Sequence, residues 1–414
     1  MKVLLINTYD RQGGAARAVG RLVNGLKEAG CDVALMAQNK ESSDPGIIKS
    51  GSGLAKQFNF IRPYIDFAIP LPQVRQRILF SSSLLPDQVI RSINKIKPDI
   101  VHLNWIAGGM IRIESLARIE QPVVWTFHDL WAITGGCHYP PNCTRYRESC
   151  GRCPLLHSGR EIDLSRKVFE RKRSAYFKIK NLTVITPSKW LAGCVRSGPL
   201  MEGRPLEVIP NGLDTSVFKP LDKRDARQRF NLPPDKKLIL FGGIRAVEYK
   251  LKGFQLLLEA LKNINDTDAE LVVFGSGNLK TAGNVPLKTH SLGYISGEAQ
   301  LAELYNAADV VAVPSYQEIF GQTASEALSC GIPVVAFAAT GLLDIVDHLL
   351  NGYLAKPFET DDLAHGINWI LEDKARYKQL SHNAHMKVLN QFDITQVAGR
   401  VMGVYEKTLS GKLL

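Results

Sequence analysis

Residues 315–333 read SYQEIFGQTASEALSCGIP, with two carboxylates, Glu318 and Glu326, separated by seven residues around a glycine and small hydroxyl side chains. A short apolar strand runs in and a short helix runs out. Gly321, Gln322 and Thr323 would then offer free backbone N–H groups at a helix N-terminus, a ready anion site. A carboxylate beside such a site accepts hydrogen bonds from neutral hydroxyls, such as those of a sugar or a ribose. Thr323-Ala-Ser-Glu326 equally reads as a capping box, in which Glu326 only bonds back to the helix start. Glu318 then reads as a plain loop charge.

Three further loops carry candidate chemistry. In FGGIRAVEYKLKGF, Arg245, Lys250 and Lys252 lie beside glycines, ahead of a helix starting near Phe254. Two cations there would neutralise a leaving diphosphate without a metal; a solvated basic turn is the plainer reading. In TYDRQGGAARAVGRL, Gly13 and Gly14 let a phosphate approach the backbone at a helix start. The GxGxxG pattern is absent and no acidic residue ends the second strand, which argues against a dinucleotide site. In WTFHDLW, His128 and Asp129 sit where a strand ends, so His128 is either a structural histidine or one that reaches a ligand. A fourth feature is a cluster of thiols. Cys137, Cys143, Cys150 and Cys153 have intervals of five, six and two residues, which suit a tetrahedral thiolate site for a structural zinc. The wide first interval leaves disulfides or free thiols open. Cys31, Cys194 and Cys330 lie apart and read as core residues.

These loops need elements to hold them. Short β-branched runs alternate with helical patterns, the signature of parallel βαβ units. Strands are predicted at 3–7, 33–37, 100–103, 123–127, 182–186 and 207–210, then at 238–241, 271–274, 310–313 and 334–337. Helices are predicted from Ala15 to Ala29 and, at the end, over 361–371, 376–391 and 395–409. The fold class is therefore α/β, with two Rossmann-like doubly wound parallel-sheet domains facing across a cleft. The expected domains are 1–205, carrying a Cys-rich insertion at 137–153, and 206–390, with a C-terminal helix at 391–414 packing back on the first. Ligands of such sheets bind at the carboxyl ends of strands, where the candidate loops fall.

Composition agrees with a globular chain: 414 residues, 45% hydrophobic, 22% charged, with a net charge of +11. A pI near 9.2 suits an acidic partner such as phosphates or anionic lipid. MKVLLINTYD reads as a first strand rather than a signal peptide, and no apolar run is long enough to span a bilayer. The expected location is cytoplasmic, with peripheral contact on the cytoplasmic face of a membrane. The stretch Phe58–Phe80, rich in aromatics, aliphatics and arginines, is the candidate for that contact; a loop packed on the core is its plainer reading.

With these motifs in order, a family resemblance emerges. Glu318 and Glu326 resemble the E-x7-E motif of retaining GT-B glycosyltransferases of family 4 (glycosyl transferases group 1). VIPNGLDTSVFKP, KGFQLLLEAL and GIPVVAFAATGLLDIV are similar to that family's successive C-terminal segments, and GGA with TFHD extends the match to the N-terminal half. The stretch GGCHYPPNCTRYRESCGRCPLL resembles a subgroup that includes colanic-acid-type exopolysaccharide transferases. The resemblance implies that Glu318 binds hydroxyls of the donor sugar and that the backbone of Ile319, Phe320, Gly321, Gln322 and Thr323 holds sugar and phosphate. It further implies that Glu326 binds the ribose and that Arg245 and Lys252 bind the diphosphate. Gly13 and Gly14 would approach the phosphates, and His128 the sugar. Arg245 stands seven residues before Lys252, further than is usual in the family, and Lys250 is the cation that could substitute for it.

The expected activity is thus a hexosyltransferase reaction with retention and without a catalytic metal. It would use a UDP- or GDP-sugar and a glycan or lipid-linked acceptor, in surface polysaccharide synthesis. A GT-B epimerase or phosphorylase is the alternative enzyme. A zinc-knuckle nucleic-acid binder is the alternative of another class, disfavoured because the positive charges are dispersed; no nucleic acid is expected as a partner.

Overall fold

The computed structural model describes residues 1–51, 57–69, 79–140, 142–275 and 284–411. It divides into two compact units, residues 1–210 with 397–414, and residues 211–396. Each is built on one parallel sheet.

The first sheet contains β1 (Lys2–Tyr9), β2 (Asp32–Asn39), β3 (Ile47–Lys49), β4 (Ile100–Leu103), β5 (Val123–Thr126), β6 (Leu182–Thr186) and β7 (Leu206–Val208), in the order β3-β2-β1-β4-β5-β6-β7. β1, β4, β5 and β6 are buried almost throughout because helices cover both faces, so their sequences run apolar rather than alternating. The helix Gly13–Glu28 turns Val19, Leu22 and Leu26 onto Val3, Leu5, Val33 and Leu35. Val397, Val401, Val404 and Tyr405 of the helix Ile394–Ser410 join the same cluster, so the last helix belongs to the first unit's core. Buried His102 on β4 anchors it: Nδ1 lies 2.6 Å from the Tyr405 hydroxyl and Nε2 lies 2.8 Å from Thr126 Oγ1.

The second sheet contains β8 (Lys237–Gly242), β9 (Ala269–Phe274), β10 (Thr289–Ser291), β11 (Val310–Val313), β12 (Val334–Phe337) and β13 (Gly352–Ala355), in the order β10-β9-β8-β11-β12-β13. Successive side chains on a strand point to opposite faces, and here both faces are filled. Leu238 and Leu240 enter one apolar cluster with Val272, Val311 and Val313. Ile239 and Phe241 enter another with Leu271, Val273 and Val310. Strand order reverses between β1 and β4 in the first sheet and between β8 and β11 in the second. Those are the topological switch points at which open α/β sheets bind ligands.

The basic excess is unevenly divided. The first unit holds 33 of the 51 Lys+Arg and 18 of the 40 Asp+Glu, a net +15, while the second carries −4. Phosphate binding in the second unit therefore does not account for the chain's positive charge.

Candidate active site

In the second unit, the loops after β8 and β11 meet. β8 ends at Gly242-Gly243, and a 3-10 turn at Lys250–Lys252 leads through Gly253 into the helix Phe254–Leu261. Gly253 has φ +72°, and a Cβ there would fall 1.9 Å from the carbonyl oxygen of Pro314, just past β11. Only a residue without a side chain lets the basic turn lie directly on that strand end. Tyr316 N–H donates to Leu251 O at 2.9 Å and closes the same contact.

The close approach brings Lys252 to Glu318: Nζ lies 2.7 Å from Oε1. Ser315 Oγ donates to the same oxygen at 2.8 Å. Glu318 is 15% exposed and Lys252 27%, so the pair sits at the surface of the site rather than in the core. The Glu318 backbone is fixed as well. Its N–H donates to Thr340 Oγ1 at 3.0 Å, and its carbonyl accepts from Gly341 N–H at 2.9 Å. Ile319 and Phe320 are buried, which leaves their backbone, not their side chains, to serve the loop.

Gly321 adopts φ +107° and caps the helix Gln322–Ser329, making no side-chain cap bond. The capping box expected at Thr323 is therefore not formed, because the helix begins before it and Thr323 is already inside the first turn. Thr323 Oγ1 faces Gly243, 4.0 Å from where a Cβ on that glycine would lie. Glu326 turns inward: it is 1% exposed, and its Oε2 accepts from the Tyr305 hydroxyl at 2.9 Å. Arg245 has φ +53° and an exposed side chain, held by its N–H to Gly275 O at 2.8 Å; Lys250 is exposed too. The second unit thus gathers Lys252, Glu318, Gly321, Thr323 and Gly243 at one switch point, with Arg245 on the adjoining loop.

Gly13, Gly14 and His128 lie in the first unit. Gly13, at φ +87°, starts the helix that follows β1. His128 follows β5, with Nε2 3.1 Å from Asn104 Oδ1, and burial holds its imidazole down to about 4. It is neutral at physiological pH and serves as a hydrogen-bonding group rather than a cation. Asn104 and Trp105 follow β4, and Trp105 N–H donates to Asn7 Oδ1 at the end of β1. One polar network therefore spans this sheet's switch point.

The expected zinc site is not formed. Among the described residues no group of three or more His, Cys, Asp or Glu side chains is placed to hold a metal ion, and Cys137, Cys143, Cys150 and Cys153 are free thiols. Cys137 and Cys153 instead pack with Phe80, Leu155 and Leu156. Burial pushes the Cys137 thiol up and the Cys150 thiol to about 12. The candidate membrane stretch is a 3-10 turn at Phe58–Ile61 and a helix at Arg62–Ala68, with residues 70–78 outside the described residues. Phe58, Phe60, Tyr64 and Ile65 are exposed along it. No helix among the described residues is long and apolar enough to cross a membrane.

Sequence reasoning passed over His138. It lies one residue after Cys137, in a stretch whose cysteines draw attention to metals, and its partner Asp129 is nine residues away.

Two parallel-sheet α/β domains with ligand-type loops at both switch points make up the GT-B class of glycosyltransferase. The profile described as Glycosyltransferase Family 4 matches residues 12–217, and that described as Glycosyl transferases group 1 matches residues 222–387. The chain belongs to this group 1 glycosyltransferase family. An uncharacterized glycosyltransferase of Methanocaldococcus jannaschii is 30% identical over 339 residues, spanning 76% of this chain and 84% of that protein. Sucrose-phosphate synthase from Thermosynechococcus elongatus shares the fold at TM-score 0.72 and 22% identity, covering 99% of both chains. HepE of Anabaena, solved with UDP-glucose, shares it at TM-score 0.65 and 18% identity, covering 99% of this chain and all of that one.

Proposed function

We propose that this enzyme transfers a hexosyl group from a UDP- or GDP-sugar to a hydroxyl of a glycan or lipid-linked glycan, with retention of configuration, in surface polysaccharide synthesis of the colanic-acid type. The observation that carries the reading is the Lys252–Glu318 pair beside the helix N-terminus at Gly321–Thr323. A cation, a carboxylate and a helix N-terminus at one switch point match a diphosphate joined to a polyhydroxylated ring. HepE, of the same fold, was solved with such a donor.

In this reading Glu318 accepts hydrogen bonds from the sugar hydroxyls, and the backbone of residues 319–323 orients sugar and phosphate. Lys252 and Arg245 stabilise charge as the glycosidic C–O bond to the diphosphate breaks. The acceptor oxygen bonds to the same face of the anomeric carbon, and its proton passes to the departing phosphate oxygen. The ribose contact implied for Glu326 requires it to keep Tyr305 on one oxygen and receive the ribose on the other. We assign the acceptor to the first unit, and to Gly13 and Gly14 a role toward phosphate and to His128 a role toward the sugar, as the family resemblance implies. The first unit's net +15 and the exposed Phe58, Phe60, Tyr64 and Ile65 support a peripheral site on an anionic membrane surface.

A thermal-shift screen of nucleotide sugars followed by product analysis tests this. A cognate donor at a hundred times its Kd adds about 2.7 kcal/mol to the folded state, a shift that is easily read. Formation of an epimer without any acceptor, or a requirement for inorganic phosphate, would overturn the assignment in favour of an epimerase or a phosphorylase.

A further inference from the structure

The cysteine-rich insertion delivers one side chain into the switch-point network. His138 is fully buried, and its Nδ1 lies 2.6 Å from Asp129 Oδ2. The same carboxylate oxygen accepts from Trp105 Nε1 at 2.6 Å, while Oδ1 accepts from Trp131 N–H at 2.8 Å. Asp129 is 5% exposed, and these donors together with His138 hold its carboxyl below the usual range against the opposing effect of burial. The imidazole lies between two indoles, 5.5 Å from Trp105 and 6.4 Å from Trp131, with Phe67 at its edge.

The backbone around the ring is fastened at three points. His138 N–H donates to Leu79 O, Leu130 N–H donates to His138 O at 3.1 Å, and Phe80 bridges to Cys137. Buried Lys172 donates to Trp131 O and, at 3.0 Å, to Thr134 O, and stands 3.7 Å over the Trp131 ring. The loop Phe127–Leu130, which carries His128, is thus held from one side by β5 and from the other by the insertion.

We propose that His138 is a positioning residue of the transfer reaction: by donating from Nδ1 to Asp129 it fixes the loop on which His128 meets the sugar, and the insertion exists to supply it. The proposal rests on the transferase reading, but its first test does not. His138 Nε2 has no hydrogen-bond partner among the described residues, so this role uses Nδ1 alone. An asparagine amide nitrogen stands close to where Nδ1 does, whereas a glutamine amide reaches toward Nε2. The variants His138→Asn, His138→Gln and His138→Ala therefore separate the two nitrogens.

The first measurement is the ring resonances of His128 in the histidine-labelled full chain. They should move in His138→Ala and His138→Gln and return to the parent position in His138→Asn. The second is transfer kinetics. His138→Ala should lower kcat roughly ten- to a hundred-fold, the scale of a small misplacement of a catalytic group, with KM for the donor little changed. His138→Asn should recover to within about three-fold of the parent. Unmoved His128 signals in His138→Ala would overturn the proposal whether or not a donor is known. So would recovery by glutamine but not asparagine, which would make Nε2 the working atom. A parent chain that turns over no nucleotide sugar would instead sink the transferase reading, leaving the resonance test in force.

Discussion

Replacing Glu318 by alanine separates stability from function, because the two effects differ in size. The side chain meets Lys252 at 2.7 Å and Ser315 at 2.8 Å and is 15% exposed, while Lys252 is 27% exposed. Lys252 can turn to water when the carboxylate is removed, whereas buried Ser315 loses a hydrogen bond, so the loss should stay at about 1–3 kcal/mol. In a domain of this size each kcal/mol lowers Tm by roughly 2–4 °C. Activity has more to lose. Two hydroxyl-to-carboxylate hydrogen bonds at about 1.5–3 kcal/mol each amount to roughly 3–6 kcal/mol if both are made in the transition state. That is a loss on the order of 10²–10⁴-fold in kcat/KM. Initial rates of nucleotide release and product formation, read beside a denaturant curve on the same preparation, measure both. Glu318→Gln should fall between parent and alanine, since it keeps hydrogen bonding without charge. Turnover within three-fold of the parent in a folded Glu318→Ala protein would refute the reasoning, and so would a collapse of the fold.

Tyr305→Phe removes the hydroxyl that supports buried Glu326, and it should cost about 1–3 kcal/mol in urea unfolding while weakening nucleotide binding; an unchanged midpoint would mean that the carboxylate does not depend on it. His102 supplies a pH test. Burial first, then the nearby His128, hold its imidazole down to about 3, below the ordinary 6.5. The unfolded chain therefore takes up the proton first, so His102's contribution is complete above pH 6.5 and drains away toward pH 3. His128, held near 4, acts in the same sense. Urea midpoints measured from pH 7 to pH 4 should fall less steeply in His102→Gln than in the parent, and parallel profiles would contradict the assignment.

What the sequence made legible follows from burial. β4, β6, β11 and β12 are read to the residue because each is a central or near-central strand, covered on both faces, and so an uninterrupted apolar run. β3, β10 and β13 were not read, and all three are edge strands of three or four residues with partly exposed side chains. An edge strand needs little apolar surface, so composition leaves it looking like loop. The candidate loops fell at strand ends as parallel topology requires, but their contacts were not legible. Lys252 and Glu318 are 66 residues apart, and what joins them is the missing side chain of Gly253 against Pro314. The thiols were left open between a metal site and other uses for the converse reason. Their spacing is that of a metal site, and only the packing of Cys137 and Cys153 on Phe80 shows another use.

The last helix has a consequence for how the molecule is made. Its Tyr405 closes on His102 across 303 residues, and every residue of the second unit lies between them. At about 5–20 residues per second, a ribosome needs roughly 15–60 s after β4 emerges to supply that partner. Through that interval the face of the first sheet built from Val3, Leu5 and Val124 lacks Val397, Val401 and Tyr405. The second unit, contiguous in the chain, can complete its own core in the meantime. The domain begun first is therefore the one finished last, and during synthesis its uncovered apolar face is the natural place for a chaperone to bind.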